Sequence, residues 1–524
     1  MKTIKFKNKF IKYGLALTVL ASVTSCSVDS ERNINDEYGQ TQEQQMQGLT
    51  IVKAPLENLM SSIVMVTPEW QFQLQQNLMG DVFSGYMAPP TPFAGDSNNT
   101  HYNLVDGWNQ YPWTIAYTGV LPNAFKVENR AAQLNLPQFL GIAKILKVEG
   151  MHRISDIYGP IIYSHFGENA AGDKFDTQKE AYYAFFADLD AGIAALKDAQ
   201  NKGLVLDPSA DISAFGGNLA KWIKFGNSLR LRLALRISGV DPVKAKTEGE
   251  KALSDLGGLM SNNTENFIVN KPNPLGVINS WGDTRMGASM ESILNGLQDP
   301  RVGKYFTKNT FSNSYTGIRQ GIDITAHGGK DSYVKNSGIN SDMFSQIQLM
   351  TASEVQFLIA EAKLKNWNTN GISSETAYNN GIQLSFAQYG LTAGSYITNT
   401  SNTPANYVDA FNPDNNINAA SQVTIAWNNA DTDALKLEKI ITQKWISGFP
   451  DGQEAWSEFR RTGYPKLFPV KLNKSGGLIS TTEFIKRINF PASEKSTNPT
   501  NVSAAVGMLG GPDNGGTNLW WDVN

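Results

Sequence analysis

The apolar positions of this chain fall mostly on a helical period. Phe139, Ala143, Leu146, Gly150, Ile154 and Ile157 are spaced 4, 3, 4, 4 and 3 residues apart, the stripe of an amphipathic helix. A second stripe, Tyr182, Phe185, Leu189, Ile193 and Leu196, follows Thr177-Gln178-Lys179-Glu180. That quartet is a capping box, in which Thr and Glu exchange side-chain and backbone hydrogen bonds at a helix start. Trp222, Phe225, Leu229, Leu233 and Ile237 define a third helix. Ser353-Glu354-Val355-Gln356 reads as the cap of a fourth, running to about Lys365, with Ser374 to Gln388 as its return partner. This pair has roughly the length of a 34-residue tetratricopeptide unit. Lys436 to Ile446 supplies another helix, and Gly159-Pro160 is a helix stop. Strand-like alternation is sparse, so the pattern predicts a mainly α protein.

Two long stretches lack this periodicity. Residues 80–117 repeat Gly and Pro, and residues 399–429 contain nine Asn in 31 positions; both read as loops. Aromatics crowd the first. Phe83, Tyr86, Phe93, Tyr102, Trp108, Tyr111, Trp113 and Tyr117 make eight in the 37 residues from Asp81 to Tyr117, twice the density of the whole chain. Aromatic faces suit the C–H faces of sugar rings, and Asn99, Asn103, Asp106, Asn109 and Gln110 stand nearby to serve hydroxyls. Trp281 lies in the polar run Asn279-Ser280-Trp281-Gly282-Asp283-Thr284-Arg285, where Asp283 or Arg285 can bind hydroxyls or an anionic group. Trp113 and Tyr117, one turn apart, read as core. Trp222, Trp445 and Trp456 lie on helical patterns and read as packing residues.

Composition narrows the class. Among 524 residues, 54 aromatics exclude disorder of the whole chain, and a single Cys excludes an internal disulfide. The formal charge of −3 provides no basic field for nucleic acid. No run approaches the roughly 20 apolar residues of a spanning helix. The amino terminus explains the Cys. Five Lys up to Lys12, an apolar stretch from Tyr13 to Val23 and the small residues before Cys26 form an export signal over residues 1–25. The arrangement resembles the lipobox of bacterial lipoproteins, in which cleavage leaves a lipidated Cys, here Cys26, at the new terminus. Loss of the five Lys leaves 40 basic against 48 acidic residues, a charge of −8. Ser27-Val28-Asp29-Ser30-Glu31 is similar to the surface-export signal of Bacteroidetes lipoproteins. Residues 26–48 read as the lipidated Cys and a polar tether, and 49–524 as the folded domain.

Catalytic signatures are missing from the sequence. It has no His-Glu-x-x-His, no Gly-x-Ser-x-Gly and no phosphate-binding loop; Gly328-Gly329-Lys330 lacks the upstream Gly. The four His residues show no i, i+4 ligand pair. Asp414-Asn415-Asn416-Ile417-Asn418 imitates the start of a calcium loop without its Gly and terminal Glu. No catalytic residue, metal site or cofactor is therefore assigned, although carboxylates paired in space for glycoside hydrolysis stay open.

Several segments together identify the chain as a member of the SusD/RagB family of nutrient-binding outer-membrane lipoproteins. They are Lys147 to Tyr163, Lys221 to Ala234, Leu297-Gln298-Asp299-Pro300-Arg301 and the Ser353 to Lys365 helix. Arg460 to Pro465, Arg487-Ile488-Asn489-Phe490-Pro491 and the closing Trp520-Trp521-Asp522 complete the set. The resemblance implies a SusD-like helical scaffold with tetratricopeptide-like pairs and long ligand-binding loops. It also implies a SusC-like, TonB-dependent transporter as partner and a lipid anchor as the only contact with the membrane. The motif residues themselves read as scaffold: Arg232 and Arg236, one turn apart, and Arg460 and Arg461 are expected to pair with acids or cap carbonyls. In the family, glycan-binding members use loop aromatics, so Tyr86, Trp108 and Trp281, with Asp283 and Arg285, are the candidate ligand-binding residues. The expected function is capture of an oligosaccharide or other nutrient without chemistry. A surface glycan hydrolase, or an interaction lipoprotein without a small ligand, are the alternatives.

Overall fold

Among the described residues, ten helices of eleven or more residues carry the architecture. In a computed structural model, residues 49–93, 98–169, 172–326 and 328–524 are described. The export signal, Cys26, the tether and His327 lie outside them. The chain divides into two units, residues 1–55 and 56–524. The helix α1 (Thr50–Ile63) begins in the first. The others belong to the second: α2 (Leu121–Gln133), α3 (Pro137–Tyr158), α4 (Gln178–Asn201), α5 (Leu219–Arg236), α6 (Pro242–Ser254), α7 (Ala352–Leu364), α8 (Ser374–Gln388), α9 (Asp433–Gly448) and α10 (Gly452–Thr462). The fold is mainly α, as the periodicity predicts.

Local chemistry sets the boundaries. Thr177 and Glu180 form the expected capping box, with Thr177 N–H donating to Glu180 Oε2 at 2.9 Å and Glu180 N–H to Thr177 Oγ1 at 3.2 Å. α3 ends at Gly159, whose φ of +90° few residues besides glycine adopt. The cap of α7 is a correction. Thr351, not Ser353, accepts the Glu354 amide (3.1 Å), and Ser353 is instead a buried residue whose hydroxyl donates to Gly381 O across the helix pair.

Helix pairs then stack in sequence. α3 packs against α2 and α4, α4 against α5, α5 against α6 and α7, and α7 against α8 and α9. Short connections between α2 and α3, and between α5 and α6, make these neighbours return on each other, the tetratricopeptide-like arrangement. Backbones approach closely at two glycines. A Cβ on Gly141 of α3 would stand 2.6 Å from Gly192 O of α4, and one on Gly381 of α8 would stand 2.7 Å from the Phe357 ring of α7.

Charged side chains are buried where the helices converge. Arg232 and Arg236 of α5 are fully buried. Arg232 Nη2 donates to Glu354 Oε2 of α7 at 2.7 Å; Arg236 donates to Asp156 Oδ2 of α3 at 3.0 Å and to Glu454 Oε1 of α10 at 2.6 Å. Arg461 of α10 grips Glu361 of α7 through both nitrogens, at 2.6 and 2.7 Å. Arg153 of α3 makes the same bidentate contact with Asp451, the cap of α10, at 2.8 and 2.8 Å. Forked guanidinium–carboxylate pairs fix both distance and orientation, so this network sets how four helices meet. Burial pushes the Glu454 carboxyl up, but Arg236, Arg232 and Lys444 outweigh it and bring the group down to about 2. The arginines of the family motifs are scaffold, as expected.

Strands are few among the described residues: β1 (Met87–Ala88), β2 (Phe267–Val269), β3 (Arg285–Met286) and β4 (Ile347–Met350). β1 pairs antiparallel with β3, Met87 opposite Met286, and β2 with β4, Ile268 opposite Gln348. The stretch 80–117 is more regular than its sequence suggests. It contains short helices at Gly80–Phe83, Asp106–Asn109 and Tyr111–Ile115, the last continuing as a π-turn over Ala116–Val120. No four- or five-residue helix displays enough turns to show a period. Residues 399–429 remain irregular apart from the turn Pro413–Asn415 and the antiparallel bridge between Tyr407 and Ile417 that flanks it. There Asn412 and Asp409 side chains accept backbone amides, including Asp414 N–H at 3.0 Å.

Candidate functional site

Two of the predicted aromatics reach the surface, and the chain brings them to one region. Trp281 follows the short helix Leu275–Ser280 and keeps 42% of its surface exposed. Trp108 lies in the turn Asp106–Asn109, half-buried, with Phe93 edge-on to its ring at 5.7 Å between centroids. The segment from Thr91 to Phe93 connects the two. Thr91 Oγ1 donates to Asp283 Oδ1 at 2.7 Å, while Phe93 two residues later touches Trp108.

Asp283 is the hub of this region. Besides Thr91 it accepts Gln73 Nε2 on Oδ2 at 3.3 Å and Lys330 Nζ on Oδ1 at 3.2 Å. It thereby ties together the 73–77 turn, the 91–93 segment, its own loop and residue 330. Its side chain keeps 15% of its surface exposed. Arg285 is committed differently. Its Nε donates to Val334 O at 2.7 Å and its Nη1 to Thr284 O at 2.6 Å. Burial pushes the guanidinium below its ordinary value, with Asp283 opposing. Its visible role is to hold the Trp281 loop against the 334 turn.

Tyr86 is a correction. It is fully buried, its hydroxyl donates to Trp445 O, and its ring packs against Trp445 (4.8 Å) and Phe449 (5.3 Å). A side chain enclosed by α9 on this scale cannot present a face to a sugar. Phe83, Tyr102 and Trp113 are buried likewise, and Tyr117 is half-buried, exchanging hydrogen bonds with the Ile162 backbone. Trp222, Trp445 and Trp456 are core residues, as expected. The neighbouring amides divide too. Asn99 and Asn109 are buried and bond each other at 2.8 Å, fixing the turn that carries Trp108, whereas Asp106 is exposed and Gln110 half-buried.

One aromatic of the face was outside the stretch singled out in sequence. Trp70 lies on the turn Glu69–Phe72, 43% exposed, with Tyr111 edge-on at 5.4 Å. That turn packs against the Leu275–Ser280 helix leading to Trp281. Its only sequence signal is a lone Trp between Glu69 and Gln71, in a segment without helical stripe. Trp70 with Tyr111, and Trp108 with Phe93, are thus linked through the Leu275–Ser280 helix and the 91–93 segment to the loop that carries Trp281 and Asp283, a set of aromatic faces and a polar group suited to stacking sugar rings and bonding their hydroxyls. Among the described residues no group of three or more His, Cys, Asp or Glu side chains is placed to hold a metal ion.

A mainly α scaffold of stacked pairs, displaying aromatics from its connecting loops, defines a class of binding protein. The chain belongs to the SusD-like family, described as Susd and RagB outer membrane lipoprotein, which it matches over residues 32–522. It is similar to the solved structure of a chitin-binding SusD homologue from Flavobacterium johnsoniae, at 47% identity and a TM-score of 0.88, covering 90% of this chain and 99% of that one. A SusD homologue from Bacteroides vulgatus is 38% identical with a TM-score of 0.86, covering 91% and 99%. Another from Bacteroides uniformis is 33% identical with a TM-score of 0.84, covering 93% and 100%. A search of curated proteins gave no match. No helix among the described residues is long and apolar enough to cross a membrane.

Proposed function

We propose that the protein captures chitin-type oligosaccharides at the outer surface of the outer membrane and passes them to a SusC-like, TonB-dependent transporter. Cys26 carries the lipid that holds it there, residues 27–48 are the tether, and several acyl chains supply enough buried methylenes for stable anchoring. The observation that carries the reading is the aromatic face. Trp108 and Trp281 stand partly open, linked through the 91–93 segment to the Asp283 hub, and Trp70 pairs with Tyr111 on the turn packed against the helix leading to Trp281. The ligand class is suggested by the chitin-binding homologue.

The mode of action is binding alone. Raising the local concentration of a ligand at a transporter mouth needs affinity and release, not bond cleavage, and the aromatic face supplies the former. The test is calorimetric titration of the protein with chitin, cellulose and starch oligosaccharides, run beside a reducing-end assay. Saturable binding of the chitin series with no new reducing ends supports the reading. Release of reducing ends would replace it with a hydrolase, and silence across all three series, with a barrel protein co-purifying, would replace it with an interaction lipoprotein.

A further inference from the structure

A second pocket, built from other residues, opens beside the β2–β4 ribbon. Its walls are the ribbon, the carboxyl-terminal end of α8 and the turn at 341–346. Its volume of about 510 Å³ is that of a small-molecule site. None of Trp70, Trp108, Tyr111 or Trp281 lines it. The lining is instead dominated by carboxamides: Asn263, Asn266, Gln346, Gln348 and Gln388.

Local structure explains why amides gather there. Ile268 and Gln348 are register partners, and strand alternation sends Ile347 and Leu349 into the core while Gln348 faces the opposite side. Asn266 Oδ1 accepts the Ala352 amide at 2.8 Å, which turns its Nδ2 toward Gln388 Oε1 at 3.4 Å. Gln388 Nε2 then donates to Gln348 Oε1 at 2.5 Å. Gln388 Nε2 also reaches the Tyr389 hydroxyl (3.4 Å) and Gln348 Nε2 reaches Phe449 O (3.5 Å), yet with two donors and two lone pairs per carboxamide Gln348 and Gln388 each keep an unused lone pair. Asn263 is tied to the end of α8 in the same way, its Nδ2 donating to Leu384 O at 3.0 Å.

We propose that this pocket is a second binding site, for one or two residues of a neutral, hydroxyl-rich sugar. A hydroxyl both donates and accepts, as a carboxamide does, so the two are matched without regard to direction. Charge agrees: Lys304 and Asp342, the charged residues of the lining, are opposite in sign and favour neither anions nor cations. Tyr389 contributes an aromatic body, held edge-on to Tyr305 at 5.2 Å. The sugar class rests on the glycan-binding reading; the pocket itself does not depend on the aromatic face.

Saturation-transfer NMR on the mature protein in detergent tests this, with chitobiose, cellobiose and maltose as probes. Four forms are compared: wild type, Trp108→Ala/Trp281→Ala, the same with Gln348→Leu/Gln388→Leu, and the same with Ala387→Trp. The last fills the pocket from an exposed lining position and leaves the amide chain intact. The aromatic-face variant should still bind at least one disaccharide, and both pocket changes should weaken that residual binding by about tenfold or more. Loss of all binding in the aromatic-face variant, or residual binding indifferent to Ala387→Trp, overturns the second site and leaves the aromatic face standing. Undiminished binding in the aromatic-face variant, abolished by the pocket changes, overturns the face and retains the pocket.

Discussion

Replacing Trp281 by alanine isolates the contribution of one stacking face. Trp281 keeps 42% of its surface open, and a tryptophan side chain offers up to about 250 Å², so roughly 105 Å² is available to a ligand. A sugar ring that covers half to all of it removes about 50–105 Å² from water. At about 25 cal/mol per Å² this amounts to about 1.3–2.6 kcal/mol, or about ten- to eightyfold in Kd. Stability should change by less than about 0.5 kcal/mol, because the side chain is exposed and its amide bond to Val277 O (3.0 Å) survives the substitution. The assay is calorimetric titration with a chitin tetrasaccharide, with denaturant unfolding as the control. An affinity within twofold of wild type in a normally folded variant refutes the stacking argument. So does a weakened affinity that tracks a loss of stability.

The remaining predictions concern the scaffold. Tyr86→Ala should destabilise by about 3–5 kcal/mol while the folded fraction binds glycan normally; selective loss of binding would return Tyr86 to the site. Arg153→Met strands the buried Asp451 carboxylate and should cost about 3–5 kcal/mol, whereas Arg153→Met/Asp451→Asn should cost much less than the two single changes together. Additive losses would show that the pair does not act as a unit. Stability should also fall on both sides of an optimum near pH 4–5. Burial raises the Asp81 carboxyl to about 7 and Glu291 to about 8, so the native state holds protons that the unfolded chain releases, and stability declines as pH rises from about 4.5 to 8. Glu454 and Glu458 are held below their ordinary values by the surrounding cations, so their contribution is present above about pH 4.5 and is lost as pH falls through their native range. Chemical denaturation across pH checks both limbs, and Asp81→Asn should flatten the upper one.

What the sequence discloses depends on the range of the interactions involved. The stripes of α3, α4 and α5 are periodic over several turns, so their cores and the Thr177 capping box are visible from neighbouring residues alone. The pairing of α7 with α8 is legible for the same reason, although its start is set by Thr351 through one hydrogen bond that Ser353 imitates in sequence. Tyr86 and Trp281 show the limit. Both stand in Gly-containing segments without periodicity, and only the distant α9 and the residue that ends it, which supply Trp445 and Phe449, distinguish the enclosed ring from the open one. Arg285 is similar: its guanidinium is taken up by carbonyls that the fold, not the local sequence, brings near. Trp70 was hidden by distance, since the contact of its turn with the Leu275–Ser280 helix spans some two hundred residues.

The central claim, that the protein holds a chitin-type oligosaccharide on the Trp108–Trp281 face, is tested most directly by a crystal structure of the complex with a chitin tetrasaccharide. The account predicts intact glycosidic bonds, sugar rings stacked on Trp108 and Trp281, and a hydroxyl or acetamido group within hydrogen-bond reach of Asp283. A sugar bound away from these three residues, or a cleaved one, would contradict it.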